Sequence, residues 1–345
     1  MSLNTPSYPL LFSLASLVII LTGVKLAEAI ISPLLIALFI TAISGPAMFW
    51  LLNKKVPASL AVSLIIFTLI IFGFFISSIV SSSLQGFFDN LPSYQDRLQS
   101  ITKTLGLFLQ QFGINLQMTE LSKTFNLGKV MGFIGSTFNQ VLSALTNIFL
   151  ILIMVIFLLL ELTSFRLKLS SISKTPTETM AKWAHISATI SRYFKIKTMT
   201  SLLTAIPIIL VLSLLEIDFP ILWGIVAFLL NFVPNIGSII AAVPAVLLAL
   251  IQFGFIAAGE VALLYLLMNN IVGNFIEPRL MGRSLGLSTL VVFLSLVLWG
   301  WLLGPIGMFL SVPLTMALKI ISDSNEKTRW IAILLSNDIK NVKKT

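Results

Sequence analysis

Two long apolar runs in the C-terminal third of the chain are each interrupted by residues that break helices. The first interruption is Asn231-Phe232-Val233-Pro234-Asn235-Ile236-Gly237, and the second is Gly304-Pro305-Ile306-Gly307. An unpaired peptide group is costly in hydrocarbon, so non-helical backbone persists at membrane depth only where protein or a water-filled cavity satisfies it. Paired interruptions of this kind are typical of the transport sites of secondary transporters.

The composition indicates a polytopic membrane protein. Of the 345 residues, 57% are apolar and 10% are charged, and the mean hydropathy is +1.03, far from the values of a soluble domain. The chain contains no cysteine, which excludes disulfides, thiolate metal sites and cysteine nucleophiles. We expect the single histidine, His185, to be an ordinary interfacial or solvated side chain. The sequence therefore predicts no metal site, no cofactor and no catalytic residue.

Hydropathy predicts an all-α fold with about eight hydrophobic segments, of which six cross the membrane. The expected crossings are residues 10–24, 30–52, 58–84, 141–162, 198–215 and 255–272. Most of these segments reach the roughly 20 residues that a helix needs to cross a ~30 Å hydrocarbon core. No Lys or Arg precedes Lys25, so the first segment lacks the basic region of a cleaved signal peptide and is expected to be retained.

The net charge of +9 is a topology signal, not a sign of nucleic-acid binding, because the basic residues cluster between apolar runs. Lys54 and Lys55 follow one run. A single connection holds Arg166, Lys168, Lys174, Lys182, Arg192, Lys195 and Lys197. With these segments in the cytoplasm, both termini lie inside and residues 85–140 lie outside. Lys25 and Glu28 then sit near the outer boundary, where we expect them to pair or to reach toward the interface.

The external segment, residues 85–140, is expected to carry an amphipathic helix. Its apolar residues recur at alternating spacings of three and four, at Leu98, Ile101, Leu105, Phe108 and Phe112. This face can pack on its own subunit or on a neighbouring one, and packing within the subunit is the simpler expectation. The tail, residues 323–345, is predicted to form a second amphipathic helix around Trp330, on the cytoplasmic side.

The two interrupted runs are too long for single crossings. Residues 221–250 would form a straight helix of about 45 Å, whereas each arm beside Pro234 is too short to span. Residues 287–321 show the same excess length around Gly304. Two re-entrant hairpins that enter from opposite faces keep Arg279 and Arg283 in the cytoplasm, as the positive-inside trend favours. Full crossing by both runs would put these arginines outside, and it stays open as an alternative.

Polar side chains near the breaks are candidates for a substrate path. They lie in the expected transport core, residues 198–322, which follows the N-terminal spans (1–84), the external insertion (85–140) and a span with its basic connection (141–197). The candidates are Asn231, Asn235 and Ser238 at the first break, and Asn270, Asn274 and Glu277 on the next segment.

Asn270, Asn274 and Glu277 can share one helix face, because their spacings are four and three. Amides both donate and accept hydrogen bonds, which suits a hydroxyl-rich neutral solute or a partly dehydrated ion. The same amides can instead hold helices together. We expect Glu277 to pair with Arg279 at the cytoplasmic boundary and not to act as a proton relay.

Three long motifs around the breaks carry a resemblance to a known family. They are residues 231–238 (NFVPNIGS), 273–288 (GNFIEPRLMGRSLGLS) and 299–308 (WGWLLGPIGM), and Ser311-Val312-Pro313 follows them. In these motifs the chain closely resembles the autoinducer-2 exporter family. The likeness covers nearly the whole chain, including Leu91-Pro92-Ser93-Tyr94.

The resemblance implies a homo-oligomeric inner-membrane protein that exports autoinducer-2, a small polyhydroxylated furanosyl signal used in quorum sensing. Some members of the family are instead associated with sodium or lithium/proton exchange. The family motif adds Pro234, Gly237, Gly304, Pro305 and Gly307 to the substrate-path candidates. We expect Pro278, Arg279, Gly282, Arg283 and Pro313 to be structural residues of these motifs, and the resemblance by itself assigns no individual role to a residue.

Three classes of function are consistent with these features. The first is a solute exporter, the second is a cation/proton antiporter, and the third is an intramembrane enzyme or a scaffold without transport activity. Lys129 follows Gly128 but lacks the upstream glycine and the following Ser or Thr of a phosphate-binding loop. Transport is therefore expected to be passive or coupled to a cation or a proton.

Overall fold

The computed structural model describes residues 9–111, 132–136, 148–172, 176–234, 236–281, 286–323 and 326–337. Within these ranges the regular structure is helical, with one isolated antiparallel bridge between Leu287 and Ser336. Six helical segments of the described chain, including the continuous stretch Phe255–Met281, are long and apolar enough to cross a membrane, and three shorter helices are also apolar. The predicted fold class, an all-α polytopic membrane protein, is confirmed.

The long helix α6 separates the N-terminal helices from the helices of the two broken runs. Before it come α1 (Pro9–Leu26), α2 (Glu28–Asn53), α3 (Ala58–Asp89), α4 (Leu91–Gln111) and α5 (Ile148–Ile172). Helix α6 (Pro176–Leu214) continues without a break from the basic connection into the fifth expected crossing. It is followed by α7 (Pro220–Leu230), α8 (Ile236–Phe253), α9 (Phe255–Met268), a π-helical segment (Asn269–Ile276), α10 (Glu277–Met281), α11 (Thr289–Asp323) and α12 (Arg329–Leu335).

The first broken run folds back on itself, and α7 with α8 forms what we call hairpin 1. The backbone N–H of Asp218, just before α7, donates to Oε1 of Gln252 near the end of α8 at 3.1 Å. At the closed tip, a Cβ added to Gly237 would lie only 1.7 Å from the carbonyl oxygen of Leu230. Only glycine allows this approach, so the two helices run antiparallel from a tight tip to a shared open end.

The second broken run also folds back, and the two arms of α11 form hairpin 2. Gly304 has a φ of 62° and a ψ of −150°, which interrupts the helix. Nε1 of Trp299 donates to Oγ1 of Thr315 at 3.0 Å, although these residues are 16 apart in the chain. In a straight helix they would be about 24 Å apart. At the open end, Nζ of Lys319 donates to the carbonyl of Gly286 at 2.6 Å.

The two hairpins open toward opposite ends of the molecule. The open end of hairpin 1 adjoins the C-terminal end of α6, and its tip residue Asn231 contacts Ser201, 13 residues before Leu214 and about 20 Å along the helix. Glu277 contacts Lys197, one turn nearer the start of α6, and the open end of hairpin 2 follows Glu277 in the chain. Each hairpin therefore reaches into the protein from its own side.

Helix α4 covers the open end of hairpin 1. The Tyr94 hydroxyl donates to the Asp218 carboxylate, and Nη1 of Arg97 donates to the Gln252 carbonyl at 2.5 Å. Burial, together with the bond to Asp218, raises the pKa of Tyr94 well above its ordinary value, so the phenol remains a neutral donor. Tyr94 and Leu98 are buried in one hydrophobic cluster with Trp223. Leu98, the first residue of the predicted apolar face, therefore packs within its own subunit.

Hydrogen bonds also hold the tip and the open end of hairpin 2 against neighbouring helices. The N–H of Ser288, at the open end of hairpin 2, donates to the Leu335 carbonyl of α12 at 3.2 Å. The hydroxyl of Ser32 in α2 donates to the Leu303 carbonyl at the tip of hairpin 2, at 3.5 Å. Lys25 and Glu28 form the expected pair, with 2.6 Å between Nζ and Oε2. The tip of hairpin 2 therefore lies beside the start of α2, and its open end lies beside α12.

Substituting Gly304 by alanine should destabilise the protein. A residue with a Cβ is strained at this φ and ψ by about 1–3 kcal/mol, and the added Cβ would lie 2.7 Å from Oε1 of Glu28. We expect a lower thermal unfolding midpoint for purified Gly304→Ala. The matched control is Gly259→Ala in α9, where nothing lies within 4 Å of the added Cβ, so its midpoint should be unchanged or higher. Equal midpoints for Gly304→Ala and the unmodified protein would contradict the sharp fold-back.

Candidate functional site

A row of polar side chains, which we call the polar stripe, runs along the buried face of α6. Its members are Lys197, Thr200, Ser201 and Thr204, each at most 4% exposed. They recur at spacings of three and four, so they share one helix face. The Thr200 and Thr204 hydroxyls bond to backbone carbonyls one turn earlier, at 3.1 Å and 3.0 Å. Lys197 and Ser201 therefore supply the contacts to other elements.

The tip of hairpin 1 meets the polar stripe through Asn231. Nδ2 of Asn231 donates to Oγ of Ser201 at 3.0 Å, which fixes the end of α7 against α6. The next residue, Phe232, is buried and stacks on Phe309 of hairpin 2, with ring centroids 4.5 Å apart. Pro234 and Ser238 are half-buried on either side of the turn. The first break thus brings a polar contact and an aromatic contact to one place.

One turn nearer the start of α6, Lys197 and Glu277 form a buried ion pair. Nζ of Lys197 lies 2.7 Å from Oε1 and 2.8 Å from Oε2 of Glu277. The side chains are 4% and 18% exposed. The predicted pairing of Glu277 with Arg279 is therefore wrong, and Pro278 and Arg279 are exposed. Lys197 is not part of a solvated connection, because it lies on the buried face of α6.

The π-helical segment before Glu277 changes which side chains face each other. Nδ2 of Asn274 donates to Oδ1 of Asn270 at 2.9 Å, so these two amides share a face as predicted. Both are exposed, whereas Glu277 turns toward Lys197. The i→i+5 winding of a π-helix offsets the spacing expected for an α-helix, and such segments are frequent at functional sites. Asn270 and Asn274 are therefore separated from the ion pair.

The second break lies apart from this cluster. Gly304 and the exposed Pro305 are at the tip of hairpin 2, beside α2. Gly307 is buried where the arms touch, because a Cβ there would lie 1.8 Å from the Trp299 carbonyl oxygen. Pro313 is buried in the second arm. Phe309 of this hairpin stacks on Phe232 of hairpin 1, so an aromatic contact joins the two hairpins.

Some predicted residues lie outside the described part of the chain. They are Asn235, Gly282, Arg283 and Phe112, together with the side chains of Leu105, Phe108 and His185. Among the described residues there is no group of three or more His, Cys, Asp or Glu side chains that could hold a metal ion.

Sequence reasoning missed the polar stripe. Its signal is the spacing Lys197, Thr200, Ser201, Thr204 at the start of an apolar run, which places four polar groups on one helix face. Because Lys197 ends a basic connection, the charge pattern predicts a solvated side chain and does not group it with the hydroxyls that follow. Chemically, the stripe and Asn231 offer neutral donors and acceptors beside one compensated charge pair, an arrangement suited to a small polar solute.

The chain has close relatives among known transport proteins. The sequence profile of the AI-2E family transporters matches residues 14–327. A putative transport protein of Haemophilus influenzae is 39% identical over 333 residues, covering 95% of this chain and 96% of the relative. The AI-2 transport protein TqsA of Escherichia coli is 39% identical over 324 residues, or 94% of each chain. This chain therefore belongs to the AI-2E transporter family.

Membership defines the class of protein as a multi-pass membrane transporter and not an enzyme. A more distant relative, a sodium-lithium/proton antiporter of Halobacillus andaensis, is 24% identical over 324 residues, covering 86% of this chain and 90% of the relative. The names of these relatives differ in the cargo they state. Family membership alone therefore does not define the cargo of this chain.

The buried ion pair should behave as a unit in stability measurements. Removing one partner leaves an uncompensated buried charge, so Lys197→Met and Glu277→Met should each cost about 3–5 kcal/mol, whereas the double variant should be near neutral. Thermal unfolding of the purified variants should therefore give lower midpoints for the two single variants than for the double variant.

The matched control for this experiment is the pair Lys168 and Glu161, whose side chains are 61% and 45% exposed. Breaking an exposed pair changes stability by about 1 kcal/mol or less. If the double variant at Lys197 and Glu277 lost as much stability as the two single variants added together, the two side chains would not be coupled.

Proposed function

We propose that this transporter exports autoinducer-2 from the cytoplasm along a path that passes the tip of hairpin 1. The observation that carries the proposal is the 39% identity, over 94% of both chains, to a relative named as an AI-2 transport protein. The contact between Asn231 and Ser201 adds physical support, because an amide and a hydroxyl can exchange their mutual bond for bonds to a hydroxyl-rich solute.

The proposed path uses groups from both hairpins and from the segment between them. Asn231, Pro234, Asn235, Gly237 and Ser238 form its central part, where α7 ends and α8 begins. Asn270, Asn274 and Glu277 belong to the segment that follows α9, and Gly304, Pro305 and Gly307 allow hairpin 2 to close. In this proposal the backbone at the breaks contributes as much as the side chains do.

We further propose that both hairpins are re-entrant in the inner membrane, with α4 outside and both termini in the cytoplasm. The opposed open ends of the hairpins support this arrangement, and Arg279 lies on the side from which hairpin 2 enters. The family likeness supports a homo-oligomer.

Single cysteines test this orientation cleanly, because the sequence contains none. An impermeant thiol reagent added to intact cells should label Gln99→Cys. It should label Ser284→Cys and Asn337→Cys only after permeabilisation. The unsubstituted protein, which has no thiol, is the blank. Labelling of Ser284→Cys in intact cells would contradict the re-entrant arrangement and favour full crossings.

Transport can be measured directly in proteoliposomes. Vesicles that contain the protein and are loaded with autoinducer-2 should release it faster than protein-free vesicles. Asn231→Leu should slow release roughly tenfold, because a lost hydrogen bond of about 1.4 kcal/mol corresponds to that factor. The control Asn337→Leu changes an exposed amide beside α12 and should leave the rate unchanged.

A cation/proton antiporter is the second candidate, because Glu277 is a carboxylate held inside the transporter and one relative is named as such an antiporter. A pH dye inside the same vesicles separates the two functions. Proton flux that responds to Na⁺ or Li⁺, without release of autoinducer-2, would favour the antiporter. Release of autoinducer-2 that is equal with and without the protein would reject the proposed substrate.

A further inference from the structure

Two of the lysines in helix α6, Lys195 and Lys197, lie on opposite faces of the helix. Lys197 is buried and bound to Glu277, whereas Lys195 is exposed. Residues two apart on an α-helix differ by about 200° around its axis, so they cannot share a face. The ion pair accounts for the burial of Lys197. It does not account for the exposed face that carries Lys195.

That second face forms one wall of an apolar groove of about 420 Å³ between α2 and α6. Met199, Leu202 and Ile206 line it from α6, and each is 46–53% exposed. Ile43 and Pro46 line it from α2. The groove is therefore an open, lengthwise furrow on the outside of the helices, not an enclosed cavity.

A proline creates the junction of the two helices at the groove. Pro46 lies inside α2 and has no N–H, so the carbonyl of Ala42 has no intrahelical partner four residues later. The hydroxyl of Ser191 in α6 donates to this carbonyl at 3.5 Å. The contact supplies the missing donor and holds α2 against α6 where Pro46 lines the groove.

The polar groups of the groove are gathered toward the start of α6. Ser191, Lys195 and Thr198 belong to its lining, and none of its lining residues is acidic. Arg192, which is exposed and follows Ser191 but does not line the groove, adds a second positive charge to this part of α6. From Lys195 to Ile206 the groove follows α6 for about 16 Å, close to half of a ~30 Å hydrocarbon core.

We propose that this groove binds an anionic phospholipid, with one acyl chain along Leu202 and Ile206 and the phosphate at Lys195. The apolar length matches one leaflet, and the basic end supplies the complementary charge. Basic pockets between transmembrane helices commonly bind lipid headgroups, and a lysine at such a boundary extends its ammonium toward the interface. The site is separate from the proposed solute path, so it does not depend on the identity of the solute.

The test titrates purified, full-length protein with phosphatidylglycerol or phosphatidylcholine in detergent, using native mass spectrometry and thermal unfolding. The unmodified protein should retain phosphatidylglycerol preferentially. Lys195→Gln should weaken that binding roughly fivefold, since each basic residue near a lipid surface contributes about 1 kcal/mol. Lys195→Arg should restore it. Lys54→Gln, which removes a lysine just beyond α2, should bind as the unmodified protein does.

A second variant tests the acyl chain. Leu202→Trp fills the groove and should reduce phosphatidylglycerol binding at least tenfold, and the exposed position of Lys195 keeps Lys195→Gln informative if this variant unfolds. Equal binding by Lys195→Gln, no preference between the two lipids, or equal stabilisation by inorganic phosphate would each overturn the proposal. Leu202→Trp could instead lower the number of subunits in each complex and leave lipid binding unchanged. In that case the groove is an interface between subunits, and the proposal fails.

Discussion

The need to satisfy backbone hydrogen bonds at the first break determines the arrangement of the core. The N–H of Val233 donates to Leu230 at 2.9 Å, and the N–H of Ile236 donates to Pro234 at 2.7 Å. The N–H of Gly237 returns to Val233 at 3.3 Å. These short-range bonds satisfy backbone N–H groups at the reversal, which is needed wherever a backbone lies away from water. They also leave the Asn231 side chain available for α6.

Both hairpins then use α6 as their common support. Hairpin 1 contacts it through a neutral hydrogen bond from Asn231 to Ser201, and the segment before hairpin 2 contacts it through the ion pair of Lys197 and Glu277. A neutral hydrogen bond contributes about 0.5–1.5 kcal/mol net, whereas breaking a buried ion pair leaves a charge without compensation. The neutral contact is therefore the easier one to exchange for a solute, and the ion pair is the better structural tie.

Much of the fold is predictable from local pattern. The excess length of residues 221–250 and 287–321 identified the runs that fold back, and the spacing of Leu98 and Ile101 identified α4 as a helix. The partner of Glu277 was not predictable in the same way. Arg279 was the nearest cation in sequence, but the true partner is Lys197, 80 residues away. The positive-inside pattern predicts a solvated cytoplasmic Lys197, whereas this lysine lies in the protein interior.

The sequence by itself determined the membrane class, the positions of both breaks and the family, because hydropathy, helix-breaking residues and long motifs are local properties. Only the tertiary structure decided which polar groups meet. The contact of Asn231 with Ser201 spans 30 residues, and the π-helical winding before Glu277 turns that carboxylate away from Asn270 and Asn274. The two faces of α6 likewise acquire different roles only when hairpin 1 and α2 pack against them. Such pairings depend on how distant helices close together, and the spacing of residues along one helix does not encode that closure.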